Sequence, residues 1–250
     1  MSDFILLFVA AFAAGAMNTI AGGGTFLTFP ALVFVGVPPV LANATSAVSV
    51  FPGYLGGAMG FRDELRQFHR GRLLRLGLIT LAGGFVGSLL LLVSSNKAFS
   101  VAVPFLLLAA TLAFLFGDAV RAWALRSRVA IAPEGMIGMF LVSIYGGYFN
   151  GGLGIVLLAL FALWGMSDIH QMNGLKSGLS FALSAISVVT FAVAGAVEWP
   201  EAIVMMIAST AGGYAGAPMA RALPKHIVRR IVAVVGFAMS GVFFYRLFTS

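Results

Sequence analysis

Apolar residues in this chain come in long blocks. They fill residues 4–21, 25–36, 41–61, 76–94 and 98–117, and then 135–149, 155–165, 170–196, 201–221 and 228–248. A helix rises about 1.5 Å per residue and a bilayer core is about 30 Å thick, so about 20 apolar residues make one crossing. The blocks at 41–61, 76–94, 98–117, 170–196, 201–221 and 228–248 are full-length by that measure. Two pairs are different. The first run breaks at Gly22-Gly23-Gly24, and the short run 25–36 that follows ends at Gly36-Val37-Pro38-Pro39. The run 135–149 breaks at Asn150-Gly151-Gly152-Leu153-Gly154 before the short run 155–165. As helices the short runs reach only about 16–18 Å and do not cross alone. The pattern predicts an all-α polytopic membrane protein in which a broken-helix hairpin opens each half.

The halves share this plan and parts of their sequence. Gly22-Gly23 and Gly151-Gly152 lie 129 residues apart, as do Ala82-Gly83-Gly84-Phe85-Val86-Gly87 and Ala211-Gly212-Gly213-Tyr214-Ala215-Gly216. With one residue inserted, Asn43 aligns with Asn173. The reading is a duplicated unit: a first transmembrane repeat at 1–117, a cytoplasmic linker at 118–134 and a second repeat at 135–250.

Charge decides how the repeats are oriented. If each broken pair is re-entrant, each half has three transmembrane helices beside it and the second half is inverted. The basic gaps 62–75, 118–134 and 221–230 then share one side, with 12 Lys/Arg there against 2 (Lys97 and Arg246) on the other. If each pair crosses once, the division is 9 against 5. Cytoplasmic loops concentrate Lys and Arg, which favours the first arrangement. The expectation is two inverted-topology repeats in the cell (inner) membrane, with the N-terminus extracytoplasmic and the basic loops cytoplasmic.

Composition agrees. Hydrophobic residues make up 60% of the chain and charged residues 9%, with a mean hydropathy of +1.04. A soluble domain has about 25% charged residues to cover its surface. The net charge of +7 lies in short interhelical gaps, so it gives no reason to expect nucleic acid. The chain has no cysteine, which removes disulfides, thiolate metal sites and Cys nucleophiles. No metal site and no cofactor is expected.

Discontinuous helices in inverted repeats are a transporter design. A helix N-terminus carries about half a positive charge and free N–H donors, which suit an anion. Candidate substrate-binding residues are therefore Gly22, Gly23, Gly24 and Thr25 at the first break, and Asn150, Gly151, Gly152 and Gly154 at the second. Packing is the competing use of these glycines. It is the preferred one for Gly53-x-x-x-Gly57, Gly83-x-x-x-Gly87 and Gly212-x-x-x-Gly216. Lys176 lies about two turns into its run. An intramembrane charge is a functional candidate, although a lysine near a span end also snorkels outward. Asn173, Lys176 and Ser180 share a helix face, and Asn43, Thr45 and Ser46 are the polar group of the first half. Each Asn serves equally well as an interhelical hydrogen bond. His69 and His226 read as solvated loop residues. His170 beside Asp168 is a candidate proton relay, and Tyr145 and Tyr148 approach the second break, where they could donate hydrogen bonds, with aromatic packing the preferred role.

Several of these segments resemble the TauE/SafE (TSUP) family of sulfite and organosulfonate exporters over about residues 4–248. The resemblance rests on Asn18-Thr19-Ile20-Ala21-Gly22-Gly23-Gly24-Thr25 with Pro30-Ala31-Leu32, Gly36-Val37-Pro38-Pro39 and Ala42-Asn43-Ala44-Thr45-Ser46. It continues with Gly147-Tyr148-Phe149-Asn150-Gly151-Gly152-Leu153-Gly154, His170-Gln171-Met172-Asn173-Gly174-Leu175-Lys176, Gly212 to Arg221, Leu223-Pro224 and Arg229-Arg230. It implies a membrane carrier for small sulfur-containing anions such as sulfite or sulfoacetate. There are two departures. The second glycine run is interrupted by Leu153, and Gly174 stands where the family has Ala, which would loosen that helix.

The expected partners are a small anionic substrate and the lipid bilayer. A coupling proton or ion and a homodimer are left open, as are the anion itself and the transport direction. A passive anion channel is the alternative to a secondary transporter working by alternating access. Intramembrane proteolysis is disfavoured. No Gly-x-Ser-x-Gly serine is present, the three His lie near span edges, and Asp3, Asp63, Asp118 and Asp168 fall in gaps or termini.

Overall fold

The structure is a computed structural model, and it describes residues 2–20, 23–126, 135–222 and 225–249. The described residues form eleven helices: α1 (Ser2–Ile20), α2 (Thr25–Phe34), α3 (Pro39–Gly60), α4 (Arg62–Arg66), α5 (Arg70–Val93), α6 (Asn96–Arg126), α7 (Met136–Tyr148), α8 (Leu153–Leu163), α9 (Ile169–Val193), α10 (Trp199–Ala222) and α11 (Lys225–Thr249). Each of the ten apolar runs is a helix, and both breaks fall between helices.

The apolar pattern misses charged helical turns. α5 begins six residues before its apolar run because the His69 imidazole Nδ1 accepts the Gly71 N–H at 3.2 Å and caps the arginine-rich first turn. His69 is thus a helix cap as well as an exposed residue. α4 is a five-residue charged helix inside the expected loop. α6 continues to Arg126, so the first part of the expected linker is helical, and 127–134 lie outside the described residues. Asp168 is also a cap. Its carboxylate accepts the N–H groups of His170 and Gln171 at 2.8 and 3.3 Å, which commits it to starting α9.

The core buries large side chains such as Phe26, Phe29, Phe99 and Phe161, but several helix contacts are made by small and polar residues, with large apolar residues turned outward. On α5 the buried residues include Thr80, Gly83, Gly84, Gly87 and Ser88, while Leu74, Leu78, Phe85, Leu89 and Leu90 are exposed. On α10, Ile203, Ile207 and Tyr214 form an exposed stripe. A soluble protein does not present such contiguous apolar surface to water, whereas helices packed in lipid put small residues at their contacts. Buried hydroxyls find acceptors locally. Thr80, Thr111, Ser143 and Thr190 each donate to the carbonyl one turn earlier, at 2.6–2.8 Å. α5 and α9 are each long and apolar enough to cross a membrane.

Packing is reciprocal between the halves. α1 packs on α10 and α7 on α5; α2 packs on α11 and α8 on α6; α3 packs on α10 and α9 on α5. α3 meets α9, and α6 meets α11. Glycines allow the two tightest pairs. A Cβ on Gly212 would run into the Phe12 carbonyl and one on Gly15 into the Ser209 carbonyl. Across α5 and α7, a Cβ on Gly87 would strike the Ile144 carbonyl and one on Gly147 the Gly84 carbonyl. Gly53, expected to pack, faces open space instead.

Candidate anion site

α7 ends at Tyr148, and the chain reverses through residues in the left-handed region, Asn150 (φ 60°) and Gly152 (φ 71°). Gly152 then caps α8. A residue with a Cβ is strained at that φ, and a Cβ on Gly152 would also lie 3.1 Å from Ala110 Cβ on α6. The Tyr145 hydroxyl donates to the Gly151 carbonyl, and the Gly151 N–H to the Phe149 carbonyl at 2.8 Å. Tyr145 is therefore more than aromatic packing. The Asn150 side chain is buried, with its Oδ1 3.5 Å from the Tyr54 hydroxyl of α3. Its Nδ2 has no partner among the described residues. An unpaired buried donor is costly unless something else satisfies it.

Lys176 projects from α9 along the first turn of α8. A Cβ built on Gly154 would lie 3.3 Å from Lys176 Cδ, so the glycine leaves room for the lysine stem. Lys176 Nζ donates to Asn173 Oδ1 at 2.9 Å. That partner is neutral. Asp63, by contrast, pairs with the charged Arg62 and Arg66. A lysine beside a helix N-terminus puts two positive potentials together, and both favour a negative group.

The first break is built differently. The N–H groups of Gly23 and Gly24 donate to Asn18 Oδ1 at 3.0 and 2.8 Å. These two expected anion donors are occupied from within the chain, by an asparagine that the sequence reading quoted only for resemblance. Gly22 lies outside the described residues. Thr25 is buried at the start of α2.

The polar stretch of α3 faces three elements. The Asn43 amide donates to the Tyr148 carbonyl at 2.8 Å, tying α3 to the second break, and its Oδ1 has no partner among the described residues. The Thr45 hydroxyl accepts the Glu198 N–H at 3.0 Å, at the start of α10, and is turned away from both breaks. Ser46 Oγ lies 2.6 Å from Thr28 Oγ1 on α2. Phe29 of α2 packs edge-on against Phe149, with ring centroids 6.0 Å apart, so the first hairpin touches the second break. The structure thus gathers Asn43, Asn150, Gly151, Gly152, Gly154, Asn173 and Lys176 around one break, with Tyr54 and Tyr145 added. Tyr54 follows Asn43 by about three turns on α3, a same-face spacing that the sequence carries.

Gly174 has a packing role. A Cβ there would lie 3.0 Å from Glu64 Cβ and 3.5 Å from Phe61 Cβ, so glycine seats α4 on α9. α9 runs without a break from Ile169 to Val193, Gly174 included.

The sequence matches the profile of the sulfite exporter TauE/SafE family over residues 7–243. The chain belongs to the TauE/SafE family. Like its relatives, this TauE/SafE protein is a helical membrane transporter. It is 27% identical over 241 residues to a "probable membrane transporter protein" of Haemophilus influenzae, covering 96% of this chain and 94% of that one. It is 27% identical to "probable membrane transporter protein ORF9" of a Sinorhizobium species, covering 94% and 89%. It is 24% identical to "probable membrane transporter protein YfcA" of Escherichia coli K12, covering 96% and 89%. No solved structure matches it.

Proposed function

We propose that this TauE/SafE protein is a secondary transporter that exports small sulfur-containing oxyanions, such as sulfite or an organosulfonate, around an anion site at the second helix break. The observation that carries this is Lys176. Its ammonium has a neutral partner, Asn173, and its stem lies against the N-terminal turn of α8. An anion there would neutralise the lysine, meet the helix N-terminus and accept from the orphan Asn150 Nδ2. The substrate set is narrower than the sequence suggested. Asn43, Asn150, Gly151, Gly152, Gly154, Asn173 and Lys176 form it. Gly22, Gly23, Gly24, Thr25 and Ser46 belong to the facing hairpin, and Thr45 is structural.

The reciprocal packing of the halves supports a pair of two-fold-related repeats, the charge distribution favours their being inverted, and in our reading they rock about this break in alternating access. The basic segments would then face the cytoplasm across the cell inner membrane.

The test is anion-dependent stabilisation of the purified protein, with sulfite, sulfate, sulfoacetate, taurine, nitrate and chloride, for wild type and Lys176→Ala. A ligand that binds the folded state at about 100 times its Kd stabilises by about 2.7 kcal/mol. One sulfur oxyanion should stabilise the wild type and not the variant. Equal responses in both proteins would reduce Lys176 to a snorkelling residue. Saturating flux with counter-transport in vesicles separates a carrier from a passive channel.

A further inference from the structure

Two adjoining cavities lie where α4 meets α5 and α9. One, of about 470 Å³, is lined by Leu65, Arg66, Phe68, Arg70 and Leu73. The other, of about 210 Å³, shares Leu65 and Leu73 and continues between Gly77 of α5 and Leu175, Gly178, Leu179 and Ala182 of α9. The first has two exposed arginines at an apolar wall. The second has no polar side chain in its lining. Leu65, Leu73, Gly77, Gly178 and Ala182 are half-buried, so the slot opens outward from the helix bundle.

We propose that this groove binds one anionic phospholipid, its headgroup phosphate on Arg66 and Arg70 and part of an acyl chain in the slot. Charge complementarity chooses the headgroup. The neighbouring charges are mixed: Asp63 takes one Arg66 nitrogen at 3.4 Å and faces Arg62 at 3.8 Å, and Glu64 lies against α9. Arg70 is in the first turn of α5. Arg72, two residues further on, covers the Phe68 ring at 5.1 Å and keeps that wall in position. A basic pocket continuous with an apolar slot matches a lipid better than a free anion, which has no use for the slot. Glycines make the slot. A Cβ on Gly77 would meet nothing within 4 Å, and one on Gly178 would lie 3.2 Å from the end of Leu65. The bound chain would run beside α9 at Leu175 and Gly178, which bracket Lys176, so lipid occupancy would fix how α4 sits on the helix that carries the lysine. This site is independent of the anion site and stands if that reading fails.

The test is thermal unfolding of the full chain in neutral detergent, with phosphatidylglycerol, phosphatidylcholine or glycerol phosphate added. Phosphatidylglycerol should raise Tm by about 5 °C at saturation, and the other two should not. Arg66→Gln/Arg70→Gln should abolish the rise. Gly77→Leu fills the slot from a position with open space, leaves both arginines and should also abolish it. An equal rise with phosphatidylcholine would make the effect general lipid solvation. An equal rise with glycerol phosphate would make it a free-anion site. A wild-type response in either variant would overturn the proposal.

Discussion

Lys176 and Gly154 face each other across α9 and α8, and the lysine stem occupies the space that a side chain at 154 would take, with a Cβ there 3.3 Å from Cδ. At the aligned positions of the first half stand Ser46, small and neutral where Lys176 is charged, and Thr25, larger than Gly154. The two helix breaks thus carry different chemistry, and the lysine that α9 brings to the second has no charged counterpart on α3 at the first.

Enlarging residue 154 should therefore remove the anion response without unfolding the protein. Gly154→Leu is expected to push the ammonium off Asn173 and to weaken anion binding by tenfold or more, about 1.4 kcal/mol. Gly154→Ala meets only the flexible middle of the lysine, and Ala is about 1 kcal/mol better than Gly inside a helix. Its binding should fall less than threefold. Anion titration followed by thermal shift reads both. Equal binding by wild type and Gly154→Leu would mean that the lysine does not need this position.

Asn18 should matter for stability rather than for the ligand. Its Oδ1 accepts from both Gly23 and Gly24, whose backbone is buried at the first break. Asn18→Ala leaves two buried donors unpaired, at about 1–3 kcal/mol each. The expected result is a lower unfolding temperature with the anion affinity retained in the folded fraction. Lost affinity at unchanged stability would instead place Asn18 in the site.

Much of the fold was legible because lipid exposure writes long apolar blocks, and glycine breaks interrupt them where the backbone turns. α4 and the first turn of α5 were not legible, because Arg62–Arg66 and the arginines that follow the His69 cap carry charge where hydropathy sees only a loop. The candidate site was legible by residue type but not by direction. Asn43, Thr45 and Ser46 are neighbours on one helix, yet they reach Tyr148, Glu198 and Thr28 on three elements. Successive helical residues diverge by about 100°, so adjacency in sequence does not make a shared face. Tyr54, about three turns beyond Asn43, met that rule and was passed over. The packing role of Gly174 was not legible, because Glu64 and Phe61 are more than a hundred residues away.

That divergence can be checked on α3. Thr45→Val removes the acceptor for the Glu198 N–H and should cost about 1 kcal/mol, with the anion response unchanged. Asn43→Leu removes the bond to the Tyr148 carbonyl, loosens the second break and should weaken the anion response at least threefold. The pair of variants is compared by thermal shift with and without anion. If Thr45→Val lost the response while Asn43→Leu kept it, the assignment of the two side chains would be reversed.

Asn173→Asp gives the sharpest test of the lysine. In the native protein the ammonium is 2.9 Å from a neutral amide oxygen, so its charge is left for a ligand. A carboxylate of the same shape at that place gives Lys176 a fixed counter-ion, and a charge-assisted hydrogen bond is about twice as strong as a neutral one. The built-in carboxylate competes with the substrate anion and repels it. Binding and transport should therefore fall by tenfold or more, while the unfolding temperature in the absence of anion stays level or rises. A lysine that merely snorkels would give the same gain in stability with transport unchanged. Measuring both quantities on the one variant separates the two roles, because loss of fold would lower stability and transport together.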